Sequence, residues 1–215
     1  MDTISIIVLL GTSQGIFLGL ILFTAKKGNQ RANQVLGLLM MVISINLLYV
    51  IITADGVYQQ LPHLLILNYP LQYLYGPMLL LYVLYLTRPE FEIRPIHSVH
   101  LLPVILSAIY FSITVYLKPA DVKIDIYLSM MNPVEFKDYF WGLSHIVYNI
   151  PYLIAAARIL QKHKIRIQQT FSYMEKINLQ WLQLLIIGFI SVFALNTIFD
   201  FMYIWHIYKG FGGPA

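Results

Sequence analysis

Six stretches of this chain are dominated by apolar residues, and each runs for most or all of the length a helix needs to cross a bilayer, about 20 residues. They lie near 4–24, 35–54, 63–86, 101–117, 140–160 and 182–207. The first, second and fourth are free of charge. The third is less regular, carrying Pro70 and the pair Gly76-Pro77, and the fifth holds Pro151. Between them lie polar connections of at most about twenty residues. The pattern predicts an all-α protein, a polytopic transmembrane helical bundle of about six spans forming one domain over 1–215.

Composition agrees with that reading. Hydrophobic residues make up 59% and charged residues 11% of the 215, against roughly 25% charged in soluble domains. A soluble fold of this size could not hide so much apolar surface, so the bilayer must act as solvent for much of it. There is no cysteine, which excludes disulfides, thiolate metal sites and cysteine nucleophiles. The N-terminal apolar run lacks a basic lead and is followed by Lys26 and Lys27, so it reads as a retained span, not a cleaved signal peptide.

Charge placement sets an orientation. Lys26, Lys27, Arg31, Arg88, Arg94, Arg158, Lys162, Lys164, Arg166 and Lys176 all fall in odd-numbered connections, while Lys118, Lys123, Lys137 and Lys209 fall in even-numbered ones or the tail. Basic residues concentrate on the cytoplasmic side. The N-terminus is therefore expected outside, in a cell inner (cytoplasmic) membrane crossed several times. Asp2, Asp55, Asp121, Asp125, Glu135 and Asp138 gather on the opposite, outer side. No internal repeat is visible, so the inverted symmetry of many transporters is not expected.

Polar residues inside spans are costly and usually face a bundle interior or water. Asn46 lies in the second span. Asn68, Gln72 and Tyr75 follow at i, i+4 and i+7 in the third, which would put them on one helical face. His145, Tyr148, Asn149 and Tyr152 do the same in the fifth, and Asn196, Asp200 and Tyr203 in the sixth. At the expected orientation these stripes share the outer half of the membrane. They would form either a polar cavity open to the outside or interhelical hydrogen bonds that hold the bundle together. Asp200 is the one acid inside a predicted span; it is neutral, paired with His145 or His206, or wet.

Two further features stand out. Gly11, Gly15 and Gly19 form a small-xxx-small stripe that lets another backbone approach, either within the chain or across a subunit interface such as a homodimer's. The basic run from Arg158 to Arg166 is expected to extend the fifth helix. Ser172 and Glu175, at capping-box spacing, then start a helix that leads through Trp181 into the sixth span. This region is either an ordinary topology-fixing loop or a relay for movements of the bundle. Enzyme signatures are missing: there is no HExxH, no GxSxG and no phosphate-binding glycine loop. His97 and His100 share a helical face but have no third ligand nearby, so neither a metal nor a cofactor is expected.

Four strings in order — Gly28-Asn29-Gln30-Arg31-Ala32-Asn33, Tyr75-Gly76-Pro77, His100-Leu101-Leu102-Pro103 and Phe171 to Leu182 (FSYMEKINLQWL) — resemble the N-terminal membrane domain of bacterial AraC-type helix-turn-helix transcriptional regulators. The resemblance covers most of the chain. It implies a signal-sensing domain in the inner membrane, answering to an unidentified small molecule or membrane signal. It also implies that a seventh span and a cytoplasmic DNA-binding domain lie beyond Ala215, so the chain itself touches lipid and no nucleic acid. A small transporter or channel, or a membrane interaction protein without a ligand, are the alternatives.

Overall fold

A computed structural model describes residues 3–54, 56–88, 90–131, 136–170 and 187–188. Every regular element among them is helical, and no strand occurs. Seven α-helices are named here: α1 Thr3–Thr24, α2 Gln30–Ala54, α3 Tyr69–Gln72, α4 Tyr75–Thr87, α5 Leu102–Phe111, α6 Ala120–Met131 and α7 Phe136–Thr170. Among the described residues four helices are long and apolar enough to cross a membrane, or five if one bent pair counts as a single span. The predicted sixth span, 182–207, lies outside the described residues. The chain divides into two compact units, Met1–Met131 and Asn132–Ala215.

In the first unit α1 and α2 form an antiparallel hairpin. The reversal is built by Gly28, whose φ of 78° is a left-handed value that glycine adopts without steric cost. Asn29 then caps α2, its Oδ1 accepting from the Ala32 N–H at 3.1 Å. The cap starts α2 at Gln30, five residues before the apolar run begins. Polar side chains along the hairpin are satisfied locally: Thr12 donates to the Val8 carbonyl at 2.8 Å, Thr24 to Leu20 at 2.8 Å and Asn46 to Val42 at 2.9 Å. Such back-bonding removes the cost of a polar group in lipid. The rest of α1 exposes Ile7, Leu10, Phe17 and Leu20, as a lipid-facing helix should.

The third predicted span is not one helix. After Gly56 (φ 69°) come two single 3-10 turns, Val57–Gln59 and Pro62–Leu64, then the one-turn α3 and, past a break at Tyr73 and Leu74, α4. The 62–72 and 75–87 parts are bent by 47°. The sequence shows why. Pro62 and Pro70 each remove a backbone donor and sit where a helix can begin but not continue from before. α4 packs on α2, with Leu79 and Val83 fully buried alongside Leu39.

The fourth span is longer than its apolar run. A 3-10 stretch, Pro95–Leu101, leads into α5, and Ser112–Tyr116 continues it with one π-helical turn. Its start is held by a reciprocal cap in which the Arg94 N–H donates to His97 Nδ1 at 2.9 Å. Phe111, wholly buried, stacks on Tyr116 and meets Tyr69 at a tilt, with ring centroids 6.3 and 5.3 Å away. The connection after it, read from the sequence as a polar loop, contains α6. Here Lys123 and Tyr127, one turn apart, are buried, while Asp121 and Asp125 stay exposed.

The second unit is described over α7, an unbroken helix of 35 residues with Pro151 inside it. At 1.5 Å per residue it is roughly 50 Å long, well beyond a hydrocarbon core of about 30 Å. The predicted fifth span, 140–160, therefore continues without a stop through the basic run.

Candidate functional site

The polar residues picked out in the sequence separate into two groups, one in each unit. In the first unit Asn68, 5% exposed, sits just before α3 and donates from Nδ2 to Asn46 Oδ1 on α2 at 3.1 Å. Asn46 spends its own amide on the Val42 carbonyl, so the donor direction between the two asparagines is fixed. Asn68 Oδ1 is left buried without a partner. It and Ser44 Oγ are the two such side-chain atoms among the described residues. An orphaned amide oxygen in an apolar interior costs on the order of 1–3 kcal/mol.

Two residues before Asn68, Ile66 is fully buried and has a φ of 68°. A β-branched side chain in the left-handed region is strained, by on the order of 1–3 kcal/mol. Two tyrosines hold the peptide there. The Ile66 N–H donates to the Tyr49 hydroxyl at 3.3 Å, and the Tyr116 hydroxyl donates to the Ile66 carbonyl at 3.1 Å. Tyr49 belongs to α2 and Tyr116 to the π-turn after α5, so three separate segments converge on one strained peptide. Neither tyrosine nor Ile66 was singled out in the sequence. The available signal was a tyrosine one turn from Asn46 on the same helix, facing the proline-flanked turn.

Gln72 and Tyr75 do not share a face with Asn68 as a continuous helix would require. Gln72 ends α3, Tyr75 opens α4, and the axis changes direction between them. Both are half-buried and both are engaged in interactions. The single-stripe geometry expected from their spacing is thus replaced by a bend.

In the second unit His145, Tyr148, Asn149 and Tyr152 do lie on one stretch of α7. Asn149, fully buried, donates to the His145 carbonyl at 2.7 Å, His145 Nδ1 lies 3.2 Å from the Trp141 carbonyl, and Tyr152 donates to the Tyr148 hydroxyl at 2.8 Å. Their rings stand 5.1 Å apart. Asn196 and Asp200 lie outside the described residues, as do Ser172, Glu175 and Trp181. Arg158 and Arg166 are exposed on α7, two turns apart.

The glycine stripe divides. A Cβ on Gly19 would lie 2.9 Å from the Gly37 carbonyl oxygen, and one on Gly37 would lie 2.6 Å from the Gly19 carbonyl oxygen and 2.8 Å from the Phe23 nitrogen. A Cβ on Gly15 would collide with Ser44 Oγ, whereas nothing lies within 4 Å of one on Gly11. The close approach is therefore between α1 and α2 of the same chain, and it involves Gly15 and Gly19 but not Gly11. Gly37 and Ser44 were missed as the facing partners. Gly19 and Gly37 stand at equal distances either side of Gly28, which is the symmetry an antiparallel hairpin imposes.

Among the described residues no group of three metal-ligating side chains is present. No family model, curated protein or solved structure matches this chain. The described residues are helical wherever they are regular and include helices able to cross a membrane, with a polar, strained turn on which three segments converge.

Proposed function

We propose that this chain is the membrane-embedded, signal-sensing part of a bacterial transcription regulator of the AraC type, set in the inner membrane with its N-terminus outside, and that it has no enzymatic activity of its own. The observation that carries the sensing role is the Asn46–Asn68–Ile66 cluster. A strained peptide, an unsatisfied amide oxygen and two tyrosine clamps meet at a broken span. Strain and orphaned polar atoms concentrate where a structure must respond to a ligand or switch. A ligand donor that satisfied Asn68 Oδ1 would favour one arrangement of this turn over another, and only such differential binding can shift a conformational equilibrium. α7 is suited to relay, because a continuous helix longer than the bilayer carries Arg158 and Arg166 beyond the hydrocarbon. The family resemblance in the sequence supports the regulatory output.

A second reading rests on the 47° break itself. Discontinuous spans form the substrate sites of many transporters, and a small transporter would use the same polar turn as part of a pathway. One experiment separates the two. Replace Asn68 with Leu at the chromosomal locus and compare transcript profiles with those of a deletion strain and the parent. The regulator reading expects a discrete set of transcripts to change in both mutants. Unchanged transcripts, together with altered solute uptake into vesicles, would favour transport and remove the regulator reading.

A further inference from the structure

Lys123 is the one buried charged side chain among the described residues, at 3% exposure. A buried ammonium is ordinarily held by a carboxylate. This one instead lies 2.8 Å from His63 Nδ1, and no ion pair to it is formed among the described residues. His63 belongs to the 3-10 turn Pro62–Leu64 and is itself exposed. The contact therefore fastens α6 to the turn that precedes the strained Ile66 peptide. A second contact one helical turn along α6 reinforces it: Tyr127 packs its ring against Tyr58 with centroids 5.1 Å apart.

The protons in this contact can be counted. A hydrogen bond between Lys Nζ and His Nδ1 needs one donor and one acceptor. Lysine ammonium supplies only donors, so the ring nitrogen must carry a lone pair. If the proton sits on the ring instead, the amine must be neutral. Either way the pair holds at most one positive charge. A second proton leaves two donors and no acceptor, with two cations at hydrogen-bond distance in a site that is dry on the lysine side. Among the described residues no buried carboxylate compensates. The segments packed on α6 offer Tyr58, Tyr116, whose hydroxyl is committed to the Ile66 carbonyl, and Lys118 just beyond the π-turn. On α6 itself Asp121 and Asp125 point to the surface.

We infer that the Lys123–His63 contact is a proton-operated latch: closed while the pair carries at most one positive charge, and released from the Pro62–Leu64 turn when a further proton makes both groups cationic. Because His63 is exposed, protons reach it without prior opening of the fold. Release frees the turn next to Ile66 from α6. The latch stands independently of any ligand or regulatory output.

Spin labels read the latch directly, and the absence of native cysteine makes labelling clean. Gln60→Cys and Leu128→Cys place labels on exposed positions of the turn and of α6. Double electron–electron resonance on the full chain in lipid nanodiscs, at about pH 8 and about pH 5, gives the separation. The expected result is a short, narrow distribution at the higher pH and a longer, broader one at the lower. His63→Gln keeps an acceptor that does not titrate and should stay closed at both. Lys123→Gln supplies both a donor and an acceptor and should also stay closed, so either variant suffices if the other does not fold. Superimposable distributions for the parent at the two pH values would overturn the latch. So would a pH response that survives in His63→Gln or Lys123→Gln.

Discussion

The α1–α2 hairpin and the 57–87 segment are built from similarly apolar sequence, yet they solve the bilayer problem in opposite ways. In the hairpin Thr12, Ser13, Thr24 and the Asn46 amide nitrogen bond to their own helix one turn back, and the two backbones meet through glycines. In the 57–87 segment the helix is interrupted, and polar contacts run between elements: Asn68 to Asn46, Ile66 to Tyr49 and Tyr116. Apolar content determines that a segment is embedded; it does not determine that the segment is straight. Local satisfaction leaves a rigid strut, while satisfaction across elements leaves a place that can rearrange.

The sharpest way to break the hairpin half of that contrast is Gly37→Leu. The side chain would enter the Gly19 carbonyl and the Phe23 backbone, neither of which can move as a flexible side chain can. Loss of a folded, monodisperse product in detergent is expected, and even Gly37→Ala should cost about 1–3 kcal/mol through overpacking. Gly11→Ala meets nothing and should hold or slightly raise the melting temperature, since alanine is the better helix former. If Gly11→Ala and Gly37→Ala behave alike, the contact is misplaced.

Next in size is the clamp on Ile66. Tyr116→Phe removes the donor to a buried carbonyl and should destabilise by about 1–3 kcal/mol, with Tyr49→Phe costing less because its bond is longer. Chemical denaturation in mixed micelles measures both. Equal and negligible effects would mean that Ile66 holds its left-handed φ without help.

Smallest on stability is Asn68→Leu, which exchanges a half-satisfied buried amide for an apolar group of similar volume. It should change stability by less than about 1 kcal/mol, and Asn46→Leu with Asn68→Leu should be neutral or stabilising, since replacing both partners removes both desolvation penalties. A large loss in the double variant would make the pair structural glue and weaken its role in sensing.

How much of this could be read from the residues alone differs element by element. α1 and α2 are visible as charge-free runs, and Pro70 with Gly76-Pro77 marked the third span as irregular. The size and place of its bend were hidden, because a proline states that a helix can stop but not what the freed backbone will bond to. α6 was hidden by its charges: Asp121, Lys123 and Asp125 read as a solvated loop, whereas Lys123 turns inward. Asn46 and Asn68 stood among the candidate residues as separate in-span asparagines, but their pairing depends on a contact 22 residues apart. Ile66 carries no polar atom in its side chain and could not be found by looking for chemistry; its importance lies in its backbone.

Asn29 gives the structure a timetable. Its Oδ1 completes the start of α2 within three residues, but its Nδ2 donates to the Tyr85 carbonyl at 2.7 Å, 56 positions further along the chain. As the polypeptide is synthesised, the hairpin can close on its glycines at once, while that amide waits in its turn for a partner not yet made. The bond can form only once α4 is in place, so a single contact ties the hairpin turn to the docking of the third segment.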